Sequence, residues 1–271
     1  MKASDYIKKG MAVITADDFA ISDGVDSAII ALLRKKKIHR ASIFTTTLKL
    51  KYLWKELTQK NIDTSSIGLH LDFTFGRSIV LRQKSLLTNE IGDFKHSFIA
   101  ILLMSVFKKK KLQELVRREI DGQILALKEF NPKFLHIDGH QHTHMIPLIF
   151  KELVKACEKH NIPNIRYINE TIFQWKIFNP FNIKNTVKLF LLRFLGIFCK
   201  YKADTYFVSI LNTCKISANV IKQYKVPIGY KKVEIMLHPG NSTKDAGNTS
   251  KEKKHLLSLH RDIEKHFANH S

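Results

Sequence analysis

The feature that most constrains this chain is its alternation of two hydrophobic periodicities. Short β-rich apolar runs lie at 11–16, 41–45, 67–71, 134–138, 164–167, 205–208 and 233–237. Between them are stretches with helical spacing, at 23–37, 49–61, 112–130, 147–160, 186–200 and 216–224. A last helical pattern follows Ser250, with apolar positions 256, 257, 263 and 267 on one face. Strand–helix alternation predicts an α/β fold with a parallel sheet. Seven strands in 271 residues suit a (β/α) barrel, complete or incomplete, with a doubly wound open sheet as the alternative. No Pro/Gly/Ser-rich linker and no internal repeat divides the chain, so a single domain over 1–271 is expected.

Composition removes several other classes. Apolar residues make up 44% and charged residues 25%, unlike a disordered chain. Only 11 Gly and 6 Pro exclude a collagen-like repeat. Cys157, Cys199 and Cys214 form no C-x-x-C pair and leave an odd thiol, which points to a reducing, cytoplasmic compartment. The N-terminal residues contain no apolar stretch of signal-peptide length.

Two other stretches are strongly apolar. Residues 98–107 are uncharged and run into Lys108–Lys111, and residues 186–199 are broken by Lys188 and Arg193. A spanning helix needs about 20 mostly apolar residues, so neither is expected to span. They read as buried or partner-facing helices, or as a peripheral surface against an anionic membrane at the inner face. Residues 176–202 hold six Lys/Arg and no Asp or Glu, which favours the membrane reading. The formal charge of +21 predicts attraction to polyanions. No zinc-finger spacing, RNP-type strand or Gly-rich phosphate loop accompanies it, so no nucleic-acid partner is expected.

Polar residues concentrate where the strands end. Asp17 and Asp18 follow the first run, His70 lies in the third, 136–144 reads HIDGHQHTH, and His238 follows the last. In a β/α barrel the carboxyl ends of the strands form one rim, where active sites are built. Four His in the nine residues 136–144, out of thirteen in the whole chain, is a concentration that scattered surface histidines do not produce. His39, His96 and His160 read as ordinary satisfied histidines.

Side chains alternate along a strand, so Asp17 and Asp18 point differently. One can ligate a cation while the other faces a substrate. The plainer reading makes one of them a helix cap, although Ser22 or Asp23 can do that. A buried acidic pair is costly unless a metal or a cation relieves it, so an Asp–His–His metal site with open positions is expected.

TADDFA (15–20), GLHLDFT (68–74), HIDGHQHTH (136–144) and EIMLHPG (234–240), in that order, resemble the signature blocks of the YdjC-like (ChbG-type) carbohydrate deacetylase family. The resemblance implies a distorted, seven-stranded (β/α) barrel of the polysaccharide-deacetylase type. It also implies hydrolysis of an N-acetyl group from an amino sugar with one bound divalent metal. Carried over block by block, it makes Asp18, His70 and His140 the metal ligands, Asp17 the general base and His238 the general acid. Mg²⁺ is the metal the resemblance suggests, and Zn²⁺ is compatible with the ligand set.

Asp138 is read as holding a histidine's tautomer. His142 and His144 are read as substrate-binding or supporting residues. Arg166 fixes the base carboxylate or makes a surface ion pair. The substrate is a chito-oligosaccharide or a lipid-linked N-acetylhexosamine, and a homodimer is a further expectation. The competing readings are hydrolysis of another bond, such as a phosphoester, and a non-enzymatic polyanion- or membrane-surface-binding protein. Two departures stand out. The family usually carries Gly where this chain has Ala20, which would be strained at positive φ. Phe73 and Phe75 stand where smaller or polar residues are common.

Overall fold

The computed structural model describes residues 1–131, 133–172, 183–241 and 259–270. The elements in chain order are α1 (Ala3–Lys8), β1 (Ala12–Phe19), α2 (Asp23–Arg34), β2 (Arg40–Ile43), α3 (Leu50–Gln59), β3 (Ile67–Leu71), α4 (Phe98–Phe107) and α5 (Lys109–Lys128). There follow β4 (His136–Gly139), α6 (Pro147–His160), β5 (Asn164–Ile165), α7 (Ile183–Cys199), β6 (Thr205–Val208), α8 (Ala218–Gln223), β7 (Lys232–Leu237) and α9 (Leu259–His270). This is the α/β architecture the alternation predicts. Positions 256 and 257 of the last helical pattern, and part of the basic 176–202 stretch, lie outside the described residues.

The chain forms two compact units. The first comprises Met1–Ala41, Tyr167–Phe194 and Tyr201–Ser271; the second comprises Ser42–Arg166 and Leu195–Lys200. Strand β2 begins in the first and ends in the second.

In the first unit β7 lies between β1 and β6, and both pairings are parallel. Ala12 is level with Val233 and Ala16 with Leu237. One step further along each strand come Asp17 and His238, so the register delivers both to one end of neighbouring strands. Strand β1 is buried from Ile14 to Phe19, as expected of a parallel strand covered on both faces. It runs three residues beyond the apolar run, so Asp17 and Asp18 lie inside the strand rather than after it. Helix α2 is capped by Ser22, whose Oγ accepts the Val25 N–H at 3.2 Å. Capping therefore does not account for the aspartate pair.

In the second unit β3 and β4 pair in parallel, with His70 level with Asp138 and Leu71 with Gly139. Strand β5 continues the sheet beside β4. Helices α5 and α6 pack together, and α5 covers β3. The long segment between β3 and α4 is anchored by α5. Glu119 accepts from the Ser78 hydroxyl and from the Ile79 and Val80 N–H groups, while Gln123 bonds both backbone groups of Asp72. Four of its backbone polar groups are thereby satisfied by side chains of the helix.

Candidate functional site

In the second unit the expected residues form a buried chain. His70 Nδ1 lies 2.6 Å from Asp138 Oδ1, and both side chains are buried. The other Asp138 oxygen takes Arg166 Nη2 at 2.9 Å and the Ser42 hydroxyl at 2.5 Å. Burial alone would raise the Asp138 carboxyl, but the Arg166 guanidinium and His70 hold it well below the usual carboxylate range. A carboxylate at Nδ1 fixes the imidazole tautomer with its proton on that nitrogen. Any cation His70 holds must therefore be bound through Nε2.

The His140 ring lies 5.5 Å from the His70 ring, centroid to centroid, and Phe44 packs edge-on against both at 5.0 and 4.8 Å. Phe75, one of the two unexpected aromatics, lies 6.2 Å from His140. Phe73 is fully buried and packs on Phe94.

The turn after β4 is conformationally costly. Gln141 and His142 have φ of +51° and +59°, the left-handed region that side chains disfavour. Gly139 is required before it, because a Cβ there would lie 2.6 Å from His144 Nδ1. The His142 and His144 rings are 6.2 Å apart, and His144 Nε2 is 3.2 Å from the Arg166 carbonyl oxygen. Burial lowers the His144 pKa to about 3. His144 is thus a neutral histidine tied to the backbone of Arg166, just after β5. Arg166 itself is buried against Asp138 and is no surface ion pair.

In the first unit Asp18 has φ +68°, and its Oδ2 receives Arg261 Nη2 at 2.7 Å. Arg261 is fully buried in α9. Three residues on, on the same helical face, Glu264 accepts the His238 N–H at 2.6 Å and the Ile216 N–H at 3.0 Å. The His238 ring nitrogen Nδ1 is 3.8 Å from Glu264. Burial pushes the Glu264 carboxyl up to about 8. Lys188 of α7 is lowered by burial, while Cys214, Asp18 and Asp17 pull it back up, so this half-buried lysine stands near enough to feel the acidic pair. Asp17 is itself almost fully buried. Ligand-type atoms of Cys214, His238 and Glu264 also lie within 4.8 Å of one another.

Ala20, where the family usually has Gly, takes φ +80°, and its N–H is held by Asp26 at 2.7 Å. His39, His96 and His160 have structural partners: the Ile14 N–H, the Leu86 carbonyl and Asp121. Sequence reasoning missed Arg261, Glu264, Lys188, Ser42 and Phe44. None sits in a distinctive motif, and a charged pair at i, i+3 on an amphipathic helix reads as a solvated face.

Comparison with known proteins gives the family and the fold. The family model described as YdjC-like protein matches residues 11–270. A carbohydrate deacetylase of Clostridium beijerinckii is 27% identical over 65% of this chain and 66% of its own length. One of Brevibacillus brevis is 26% identical over 57% of this chain and 58% of its own. One of Xenopus laevis is 30% identical over 55% and 48%. The chain thus spans between about half and two thirds of the length of these relatives.

Among solved structures, an Enterococcus faecalis V583 protein provisionally named for cellobiose-phosphate cleavage superposes with a TM-score of 0.63 at 19% identity, covering 95% of this chain and 89% of that one. That likeness shows the fold, an α/β fold of the (β/α)-barrel type with seven strands. With 11–270 matched by one family model, the chain belongs to the YdjC-like protein family.

Proposed function

We propose that the chain is a metal-dependent carbohydrate deacetylase, a hydrolase that removes the N-acetyl group from an N-acetylated amino sugar. The observation that carries this reading is the buried His70–Asp138–Arg166 chain. A carboxylate-oriented histidine beside a second histidine is how proteins present imidazole to a cation. Family membership and the names of the relatives supply the reaction class.

The donor set suits a hard or borderline divalent ion, because two imidazoles and one carboxylate leave positions for water and substrate. Asp18, His70 and His140 would hold it, with Mg²⁺ ranked first and Zn²⁺ second. When bound, such an ion polarises the acetamide carbonyl and makes a water more acidic. Asp17 takes the proton of the attacking water at its carboxylate. His238 gives a proton to the departing amine nitrogen, which is a poor leaving group without it. Glu264 and Arg261 hold the backbone and side chain from which these two strand ends act. Acetate and a free amino sugar are the products.

The substrate is a chito-oligosaccharide or a lipid-linked N-acetylhexosamine. A non-enzymatic polyanion-binding role leaves the buried His70–Asp138–Arg166 chain without a purpose.

The test is acetate release from N-acetylglucosamine oligomers and from a lipid-linked N-acetylhexosamine, with and without chelator, together with metal analysis of the purified protein. Release that stops with chelator and in Asp17→Asn supports the reading. Chelator-insensitive release, or full activity in Asp17→Asn, overturns it.

A further inference from the structure

Helix α4 is almost wholly apolar, yet only Ile101 of it is buried. Ile99, Leu103, Val106 and Phe107 are 51, 52, 66 and 79% exposed. Their spacing of four, three and one places them on one helical face. A soluble surface rarely leaves contiguous large apolar side chains in water, and such a patch marks an interaction face.

The chemistry around the patch identifies its occupant. The helix runs directly into Lys108–Lys111, all exposed. Lys111 also lines a cleft of about 790 Å³ together with Arg82, Lys84 and Arg118, and no acidic side chain lines it. Lys84 is engaged by Glu90, which leaves Lys111, Arg82 and Arg118 as the cationic wall.

We propose that α4 and this basic cleft, both in the second unit, seat the protein on an anionic lipid bilayer. The apolar face enters the headgroup–acyl boundary, and Lys111, Arg82 and Arg118 meet lipid phosphates. An apolar stripe with basic residues at its end is the pattern of a helix lying in a membrane interface. Nucleic acid would use the cations but gains nothing from the aliphatic Ile99, Leu103 and Val106, so the apolar face decides against it. Helix α7 repeats the chemistry by itself, with Ile183, Val187 and Phe190 exposed at a spacing of four and three beside Lys184. Among the described residues no helix is long and apolar enough to cross a membrane, so the contact is peripheral. The inference stands independently of the deacetylase reading.

The experiment is co-sedimentation of the full chain with phosphatidylcholine vesicles, with and without phosphatidylglycerol, at physiological salt. Wild type pellets with the anionic vesicles and less with the neutral ones. Leu103→Glu/Phe107→Glu weakens that partition by about tenfold or more, and Lys111→Glu/Arg118→Glu weakens it on anionic vesicles only. Circular dichroism confirms that both variants fold, and the milder Phe107→Ser serves if the double glutamate does not. Three outcomes overturn the proposal. The first is no binding of wild type to anionic vesicles. The second is wild-type binding by Leu103→Glu/Phe107→Glu, which makes the adsorption merely electrostatic. The third is a wild-type dimer in light scattering that the same variant converts to monomer, which makes the occupant a second copy of the chain.

Discussion

Arg261 and Asp18, 243 positions apart, form a buried ion pair at 2.7 Å. Both side chains are almost wholly withdrawn from water. Truncating the arginine takes a hydrogen-bonded charge from the aspartate in a medium of low dielectric, which costs about 3–5 kcal/mol. Arg261→Met is therefore expected to lower the unfolding free energy by about that amount, and Asp18→Asn/Arg261→Met to recover part of it. Urea denaturation of the three variants checks this. A single variant within about 0.5 kcal/mol of wild type would mean the pair carries no stability.

Asp138 is expected to matter for cation affinity without touching the cation. Asp138→Asn keeps the shape but loses the charge that holds the Nδ1 proton of His70. Divalent-ion affinity should fall by about 10–100-fold, measured by calorimetric titration with Zn²⁺ or Mg²⁺. Unchanged affinity in a folded variant would remove His70 from the ligand set.

Ala20 carries backbone strain that glycine would not. A left-handed residue with a Cβ costs about 1–2 kcal/mol, and Ala20 has φ +80° in a buried position. Glycine returns about 0.4–1 kcal/mol of that through the greater freedom of the unfolded chain. Ala20→Gly is expected to raise stability by about 0.5–1 kcal/mol, seen as a higher urea midpoint at an unchanged slope. A destabilised variant would show that the strain is absent.

Two buried groups set opposite pH trends. His144 binds its proton at about 3 when folded, against an ordinary value of 6.5. The unfolded chain therefore takes up the proton first. The stability His144 contributes is complete above 6.5 and is lost as pH falls toward 3. Glu264 does the reverse. Its folded value of about 8 lies above the ordinary 4.5, so folding weakens as pH rises from 4.5 to 8. The two slopes cancel between 4.5 and 6.5, so these groups should leave stability flat there and falling on either side. His144→Gln should flatten the acid limb and Glu264→Gln the neutral one, each read by denaturation across pH. A slope unchanged by its own substitution refutes that assignment.

The architecture was legible because burial on both faces of a parallel strand leaves uninterrupted apolar runs such as VITA and IGLHL. Legibility failed where polar residues are themselves buried. Hydropathy ends β1 at Ala16, yet the strand continues through Asp17 and Asp18 to Phe19. The same limit hid the enclosed charges of α9, although the helix itself was expected. Arg261 and Glu264 share the spacing of a solvated surface pair, and only the fold reveals that they are enclosed. His70, Asp138 and His140 stood out because polar residues interrupt apolar strands there and four histidines crowd into 136–144. That Asp138 would take Nδ1 of His70 and not another ring was not, since cross-strand register decides it.

The long reach of the Arg261–Asp18 pair also has a temporal side. A ribosome adds about 5–20 residues per second, so the aspartate leaves the exit tunnel on the order of ten seconds to a minute before its guanidinium is made. Strand β7, level with β1 from Ala12 to Ala16, arrives almost as late. Throughout most of that interval the first strand has no neighbour on that edge, and Asp18 lacks its guanidinium. The nascent chain must therefore keep that strand in solution until the residues of β7 and α9 have been made.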